Sequence, residues 1–439
     1  MSTFDDGALP DVRLRRRTLP NGLRVLLVPE HTGNCVGVAV HYRVGFRSDP
    51  PGHDGLAHLL EHLMFQRADR ADRAHAVERA GGYRNAATGP DTTDFHQVGP
   101  AGSLESMLAT EADRMRGPGI DARTLRTETN VVAEEIRRNI TSRPYGGFPK
   151  FALPRLLYRT HANAHDGYGD AAGLARTTVE QCQDFFARHY APGNALLTVV
   201  GAFDTGTAEQ LVLRHFGAVP ARTAARPPLL HEPEPTTELH GRHDDPLAPL
   251  PATTIGYRLP DPVADLPGYL AHVLLAAVLE GRLRHRLVLE QRAAVAVTAT
   301  CGLIGGPFEA CHPQTFACTV TQPAGADHQR AVTAVDTELS TLARHGATGE
   351  ELLVTTRRWI SGLLRRHDSL PARLRSLGTF ELLHGDAALH TRVSRLAAAT
   401  DAADIARAAQ RLTAAGRAVL TLSPRGPAPA AGHGPAGRR

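Results

Sequence analysis

The sequence predicts an α+β chain of two similar domains, each a mainly antiparallel sheet packed with helices, over 1–222 and 223–424, with a disordered tail at 425–439. Three observations predict it. The 439 residues exceed what one hydrophobic core serves. A stretch rich in proline, arginine and alanine, Pro220 to Pro235, makes a natural boundary. The order of strand and helix signals before it recurs loosely after it, as architecture without a sequence repeat.

Thr18 to Val28 reads as two short strands about Asn21-Gly22, a strong hairpin-turn dipeptide, and Val36 to Val44 alternates like a half-buried strand. Pro50, Pro51 and Gly52 end that strand, and Asp54 is the expected N-cap of a helix through His58 and His62. A second helix, about Asp69 to Arg79, should stop at Gly81-Gly82. Tyr83 to Thr88 and Thr92 to Val98 flank a Gly-Pro-Asp turn as a hairpin; its edge either receives an extended peptide or is an ordinary sheet edge. Leu104, Met107, Leu108, Ala112 and Met115 carry helical spacing, as do Val132, Ile136 and Ile140 within Glu128 to Ile140. Asp204 to Phe216 reads as a helix. Past the boundary come a strand at Thr253 to Tyr257, a helix at Pro267 to Arg284 and strands at Ala294 to Cys301 and Thr315 to Thr321. Three helices to about Leu383, one near Ala402 to Leu412 and a strand at Ala418 to Leu422 complete the order.

The chemistry concentrates in Gly55 to Phe65. His58 and His62 stand four apart, which stacks two imidazoles on one helix face, with Glu61 close enough to share the same mouth. Two neutral imidazoles a turn apart suit Zn²⁺ at about 2.0–2.1 Å, with a nearby carboxylate as base for a water at the metal. His-x-x-Glu-His is the inverted zinc-peptidase signature. Leu59, Leu60, Leu63, Met64 and Phe65 bury the helix, so the polar groups among them need a partner. Glu128 and Glu135, seven apart, fall on nearly one line, and either Glu134 or Glu135 could complete the site. His41, His53, His96, His161 and His165 are expected at the surface or behind the ligands, with Gly167 and Gly169 favouring a loop around the last two.

The net charge of +4 comes from arginine, Lys150 being the single lysine, and no basic stripe interleaved with aromatics argues for nucleic acid. Arg13, Arg15, Arg16 and Arg17 read as a solvated strand edge. Cys35, Cys182, Cys301, Cys311 and Cys318 lack zinc-ribbon spacing and are expected to be reduced thiols. The first residues carry Asp5, Asp6 and Asp11 without an apolar core, and no apolar run reaches transmembrane length, so a soluble cytoplasmic chain with no membrane partner is expected.

The residues Thr18-Leu-Pro-Asn-Gly-Leu-Arg-Val, Gly55 to Phe65, Gly81-Gly-Tyr-Arg-Asn-Ala-Ala-Thr, Glu111-Ala-Asp-Arg-Met and Asn130-Val-Val-Ala-Glu-Glu-Ile-Arg-Arg together resemble the pitrilysin-type inverted zinc metallopeptidases. The branch most similar is the bacterial one related to the mitochondrial processing peptidase. Pro144-Tyr-Gly and Tyr190 to Gly201 also fit; the resemblance is dense before residue 205 and thin after 260. It implies one half of a clamshell chamber, one Zn²⁺ per chain, Glu135 as third ligand, Glu61 as catalytic base and Glu128 as a carboxylate behind the ligands. It also implies that Asn85, Ala86 and the facing strand near Phe95 form the edge that pairs with a peptide substrate. One departure stands out. Where related second domains carry an arginine and a tyrosine that position the peptide, this chain has Val288 and Val295. The expected remedy is a homologous subunit that supplies the pair, in a heterodimer rather than a homodimer. The rival expectation is a non-catalytic scaffold with a vestigial site, against which the intact His58, Glu61, His62 and Glu135 argue.

Overall fold

Asn21 makes the first turn. Its side-chain amide donates to the carbonyls of Phe216 and Val219 (2.9 Å each), and Gly22 takes a φ of 88°, open to glycine. In the computed structural model, which describes residues 13–30, 33–65, 75–233 and 235–424, this turn joins β1 (Arg15–Thr18) to β2 (Arg24–Pro29), with Thr18 opposite Arg24. With β3 (Cys35–Tyr42), β4 (Tyr83–Thr88), β5 (Thr93–Pro100) and β6 (Ala195–Gly201) they form one sheet, in the order β1-β2-β6-β3-β5-β4. The second sheet holds β7 (Leu239–Asp245), β8 (Ala252–Arg258), β9 (Ala296–Cys301), β10 (Thr315–Thr321) and β11 (Arg417–Pro424), in the order β7-β11-β8-β10-β9. The fold is α+β, as the sequence predicts.

Each sheet contains one parallel pair, β2 with β6 and β7 with β11, and its other neighbours run antiparallel. Apart from β1, the two orders match strand for strand, β2-β6-β3-β5-β4 against β7-β11-β8-β10-β9. The loose echo in the sequence is therefore a repeated topology. The helix Leu56–Leu63 follows β3 as the helix Leu266–Leu283 follows β8. That second helix, continued to Glu290, is long and apolar enough to cross a membrane, contrary to expectation. Here it is a core helix: Tyr269, Leu270, Leu274, Leu275 and Leu279 are buried in the second hydrophobic core.

Three details differ from the sequence reading. The helix that carries Glu135 begins at Ala122, not Glu128, because Asp121 and Thr124 cap it reciprocally, and past Ile136 it widens into a π turn, Arg137–Thr141. Of the helix expected over 69–79, Ala76–Arg79 is helical and the earlier part lies outside the described residues, as does the tail 425–439. His41, His96 and His165, expected at the surface or behind the ligands, are buried, which excludes the first of those two places for them. The arginines of β1 are a solvated strand edge as expected, with Arg15 and Arg17 reaching Glu209 (3.1 and 3.4 Å) and Arg16 reaching Glu381 (2.7 Å).

The two sheets exchange helical cover. Leu374, Leu377 and Leu382 of the helix Leu370–His384 pack on Leu26, Val28, Ala39, Leu196 and Val200 of the first sheet. In return Phe148, Leu153 and Leu157 pack on Ala252, Ala317, Leu420 and Leu422 of the second. The alternating residues Val25, Leu27, Val38 and Val40 face the other way, toward the helix Leu56–Leu63.

Candidate metal centre

Asp49 fixes the start of the helix Leu56–Leu63. Its buried carboxylate accepts from the backbone N–H groups of Gly55 and Ala57 (2.8 Å each), donors that a helix start leaves without intrahelical partners. Asp54, the expected cap, does not do this; it lies 3.3 Å from His161 Nε2. At the other end Arg114 donates to the carbonyl of Met64 (2.6 Å), with its guanidinium 4.8 and 4.5 Å from the ring centroids of Phe65 and Phe95. Glu111, fully buried, pairs with Arg114 (2.9 Å) and accepts from Gln97 (2.6 Å). Both ends of the helix are thus anchored by buried charge.

Between those anchors, His58 and His62 present their rings 4.9 Å apart and nearly perpendicular. Glu135 Oε2 lies 3.7 Å from His58 Nε2 and 3.5 Å from His62 Nε2. One donor atom from each of the three residues falls within 4.8 Å of the others. A tetrahedral zinc with ligand bonds of about 2.0–2.1 Å separates neighbouring donors by about 3.4 Å, so two imidazoles and a carboxylate at these distances fit the ion. Glu134, the other carboxylate the sequence left open, turns outward to Arg137 (2.5 Å).

Glu128, buried, lies 3.4 Å from His62 Nδ1 and faces that ring from the side away from Glu135. Glu135 Oε1 accepts from Asn139 (3.3 Å) and Tyr168 (3.5 Å), whose ring also meets His58 edge-on. Burial, helped by the neighbouring His62, pushes His58 down to about 4, which keeps its imidazole neutral and its lone pair available. Burial also pulls His62 down, but the carboxylates of Glu135, Glu61 and Glu128 outweigh it and raise the group. The hydrogen bond to His62 holds Glu135 below its ordinary range. Burial raises Glu61, against a 2.6 Å hydrogen bond donated by the Thr88 hydroxyl.

β4 is the outer strand of its sheet, so Asn85 and Ala86 lie on an edge with no strand beyond it among the described residues. Phe95 does not share that edge. β5 has β3 on one side and β4 on the other, which occupies its backbone, and the Phe95 ring is fully buried beside Tyr42 and Phe65. Val288 packs on the second core and Val295 is exposed; neither brings a polar group. Sequence reasoning missed Asp49, Thr88, Asn139 and Tyr168. Only Asn139, four residues after Glu135, had a readable spacing.

Asp54, His161 and His165 form a second cluster of possible ligands. It does not make a three-ligand site. His165 places Nδ1 2.7 Å from the His161 carbonyl and Nε2 2.7 Å from the Phe46 carbonyl, so both nitrogens donate and no lone pair remains.

Residues 24–145 match the family description "Insulinase (Peptidase family M16)", and residues 176–355 match "Peptidase M16 inactive domain". The zinc protease PqqE of Helicobacter pylori is 31% identical over 206 residues, 45% of this chain and 46% of that protein. The matched stretch thus spans about half the length of this curated relative. Among solved structures, a protease from Helicobacter pylori superposes with a TM-score of 0.85 at 22% identity, over 94% of this chain and 100% of that one. The periplasmic protease PqqL from Escherichia coli gives 0.75 at 20% identity, over 95% of this chain and 48% of that one. Two stretches of the chain thus match M16-family descriptions, and the chain is similar in part of its sequence to a zinc protease and in fold to solved proteases.

Proposed function

We propose that this chain is a zinc-dependent endopeptidase of the pitrilysin type, in the branch similar to the mitochondrial processing peptidase, and that it hydrolyses peptides or unfolded segments. The convergence of His58, His62 and Glu135 from two helices, with Glu61 between the histidines, carries this reading. These three side chains would hold one Zn²⁺ per chain, and the chemistry it would supply is polarisation of a carbonyl and acidification of water. Glu61, steadied by Thr88 and raised by burial, takes the proton from the attacking water and delivers it to the departing amine. Glu128 fixes the orientation of His62 through Nδ1. The substrate lies extended along Asn85 and Ala86 of β4.

The zinc lobe in this reading is 1–222, and 223–424 is a second lobe of the same topology without the motif. Val288 and Val295 leave the substrate without an arginine and tyrosine to position it, which supports a homologous partner subunit in a heterodimer. That this chain corresponds to 48% of the Escherichia coli PqqL structure supports pairing of two halves. The five free cysteines suit a reducing cytoplasm. A second reading, a non-catalytic scaffold subunit, draws on the match to an "inactive domain".

Metal analysis and the Glu61→Gln variant decide between them. The expected result is about one zinc per chain in both proteins, with cleavage of a mixed peptide digest lost by roughly a hundredfold or more in the variant. Absence of zinc from the wild-type chain favours the scaffold, and unchanged cleavage in the variant removes Glu61 from the reaction.

A further inference from the structure

Thr88 touches two places at once. Its hydroxyl holds Glu61, and it also lines a cavity of about 430 Å³ that runs from the end of β4 to the helices Gly349–Asp368 and Leu370–His384. Along a strand, side chains alternate between faces. Thr88 faces the metal helix, so Ala87 faces the other way, and both Ala87 and its partner across the sheet, Asp94, line this cavity. A peptide added to the edge of β4 alternates in the same manner: residues that face the metal centre are followed by residues that face the cavity.

The walls of the cavity are ring-rich. Trp359, Phe308, Phe380 and His390 line it, with Phe308 and Phe380 5.5 Å apart and Phe380 edge-on to His390. Its charges cancel. Arg375 lies in a two-pronged pair with Asp94 (2.9 and 3.0 Å), and Arg366 and Glu309, both exposed, oppose each other in sign. His390 is held neutral by burial, which pushes it down to about 4. A lining with no net charge, several rings and a guanidinium plane already neutralised favours a flat apolar side chain over a carboxylate or an ammonium.

We infer that this cavity, walled by Trp359, Phe308, Phe380 and Arg375 beside the end of β4, is a specificity pocket that takes an aromatic side chain of the bound peptide. The inference rests on the proposed peptidase reading for its substrate and deepens it. A single aromatic residue, at a constant offset from the cleaved bond, selects the peptide.

Trp359 is the only tryptophan in the chain, so its fluorescence reports occupancy without any turnover. Two unstructured, tryptophan-free peptides that differ in one residue, phenylalanine or alanine, are titrated into the zinc-loaded Glu61→Gln chain. The phenylalanine peptide is expected to bind roughly tenfold more tightly or better and to shift the emission. Ser376→Phe, which fills the cavity from the helix Leu370–His384, is expected to abolish that preference while leaving zinc content and binding of the alanine peptide unchanged. Equal affinity for the two peptides, or a preference that survives Ser376→Phe, overturns the inference. Cleavage by the wild-type chain without an aromatic residue at a fixed offset overturns it too, while leaving the peptidase reading intact. Absence of cleavage together with an intact fluorescence preference does the reverse.

Discussion

Thr88 holds the proposed base through one hydroxyl, and its own environment shows why that matters. Its Oγ1 donates to Glu61 Oε2 at 2.6 Å and lies 3.3 Å from Thr93 Oγ1, which donates to the Val44 carbonyl. A base tied to a sheet in this way loses orientation when the hydroxyl goes. Thr88→Val, nearly equal in shape, is expected to lower kcat roughly tenfold to a hundredfold, the worth of one hydrogen bond to a charged group, with zinc content unchanged. Thr88→Ser should restore most of it, and steady-state kinetics with parallel metal analysis is the check. At this scale the sequence was legible where spacing along one helix sets the geometry, as for His58, Glu61 and His62. It was not legible where the answer depends on helical phase. Glu134 and Glu135 differ by a rotation that only packing fixes: Val132 and Ile136 turn into the core, which swings Glu135 toward the histidines and leaves Glu134 60% exposed beside Arg137.

The helix Leu56–Leu63 has only eight residues, too short to hold its form alone, so its anchors decide whether the proposed ligands His58 and His62 stay in place. Asp49 satisfies two backbone donors at its start, and His165 lies 3.7 Å behind Asp49. Asp49→Ala removes both bonds inside a buried region and is expected to cost about 3 kcal/mol, read as a lower midpoint in chemical denaturation, and to weaken zinc retention against a chelator. The β1–β2 hairpin and the hairpin of β4 and β5 were readable because their turn residues are local. The cap was not, because Asp49 reaches past Pro50, Pro51 and Gly52 from the end of a short 3-10 turn, a path that sequence spacing does not encode. Phe95 was misplaced for a similar reason: pattern identifies a strand and leaves its position in the sheet unstated.

The exchange of helices across the two sheets buries apolar residues of each sheet under helices from the other half of the chain. A chain cut after residue 222 loses the helix Leu370–His384 and bares Leu26, Val28, Ala39, Leu196 and Val200. Residues 13–222 alone are therefore expected to lack a cooperative thermal transition and near-ultraviolet dichroism, which the full chain should show. None of this was visible in the sequence, since apolar residues far apart announce burial without naming their partners. The same junction carries an acid-sensitive group. His41 of β3 is wholly buried with neither ring nitrogen hydrogen-bonded, and a Cβ on Gly378 would meet its ring at 2.1 Å. Burial pushes His41 down to about 4 from an ordinary 6.5, with Asp94 opposing and Arg375 and His96 adding to the shift. In the window between those values the unfolded chain binds a proton that the folded chain refuses. Stability is therefore full above pH 6.5 and falls as the pH drops toward 4, by about 3 kcal/mol from this group. Asp49, raised to about 6 by burial, acts with opposite sign over part of that window, so the contribution of His41 shows as a difference between proteins. His41→Leu should lose the slope, and its stability relative to wild type should rise by about 3 kcal/mol between pH 7 and 4 in urea titrations. A difference that stays constant with pH would mean that His41 takes up its proton in the folded chain, and that the junction between the sheets opens to let it do so.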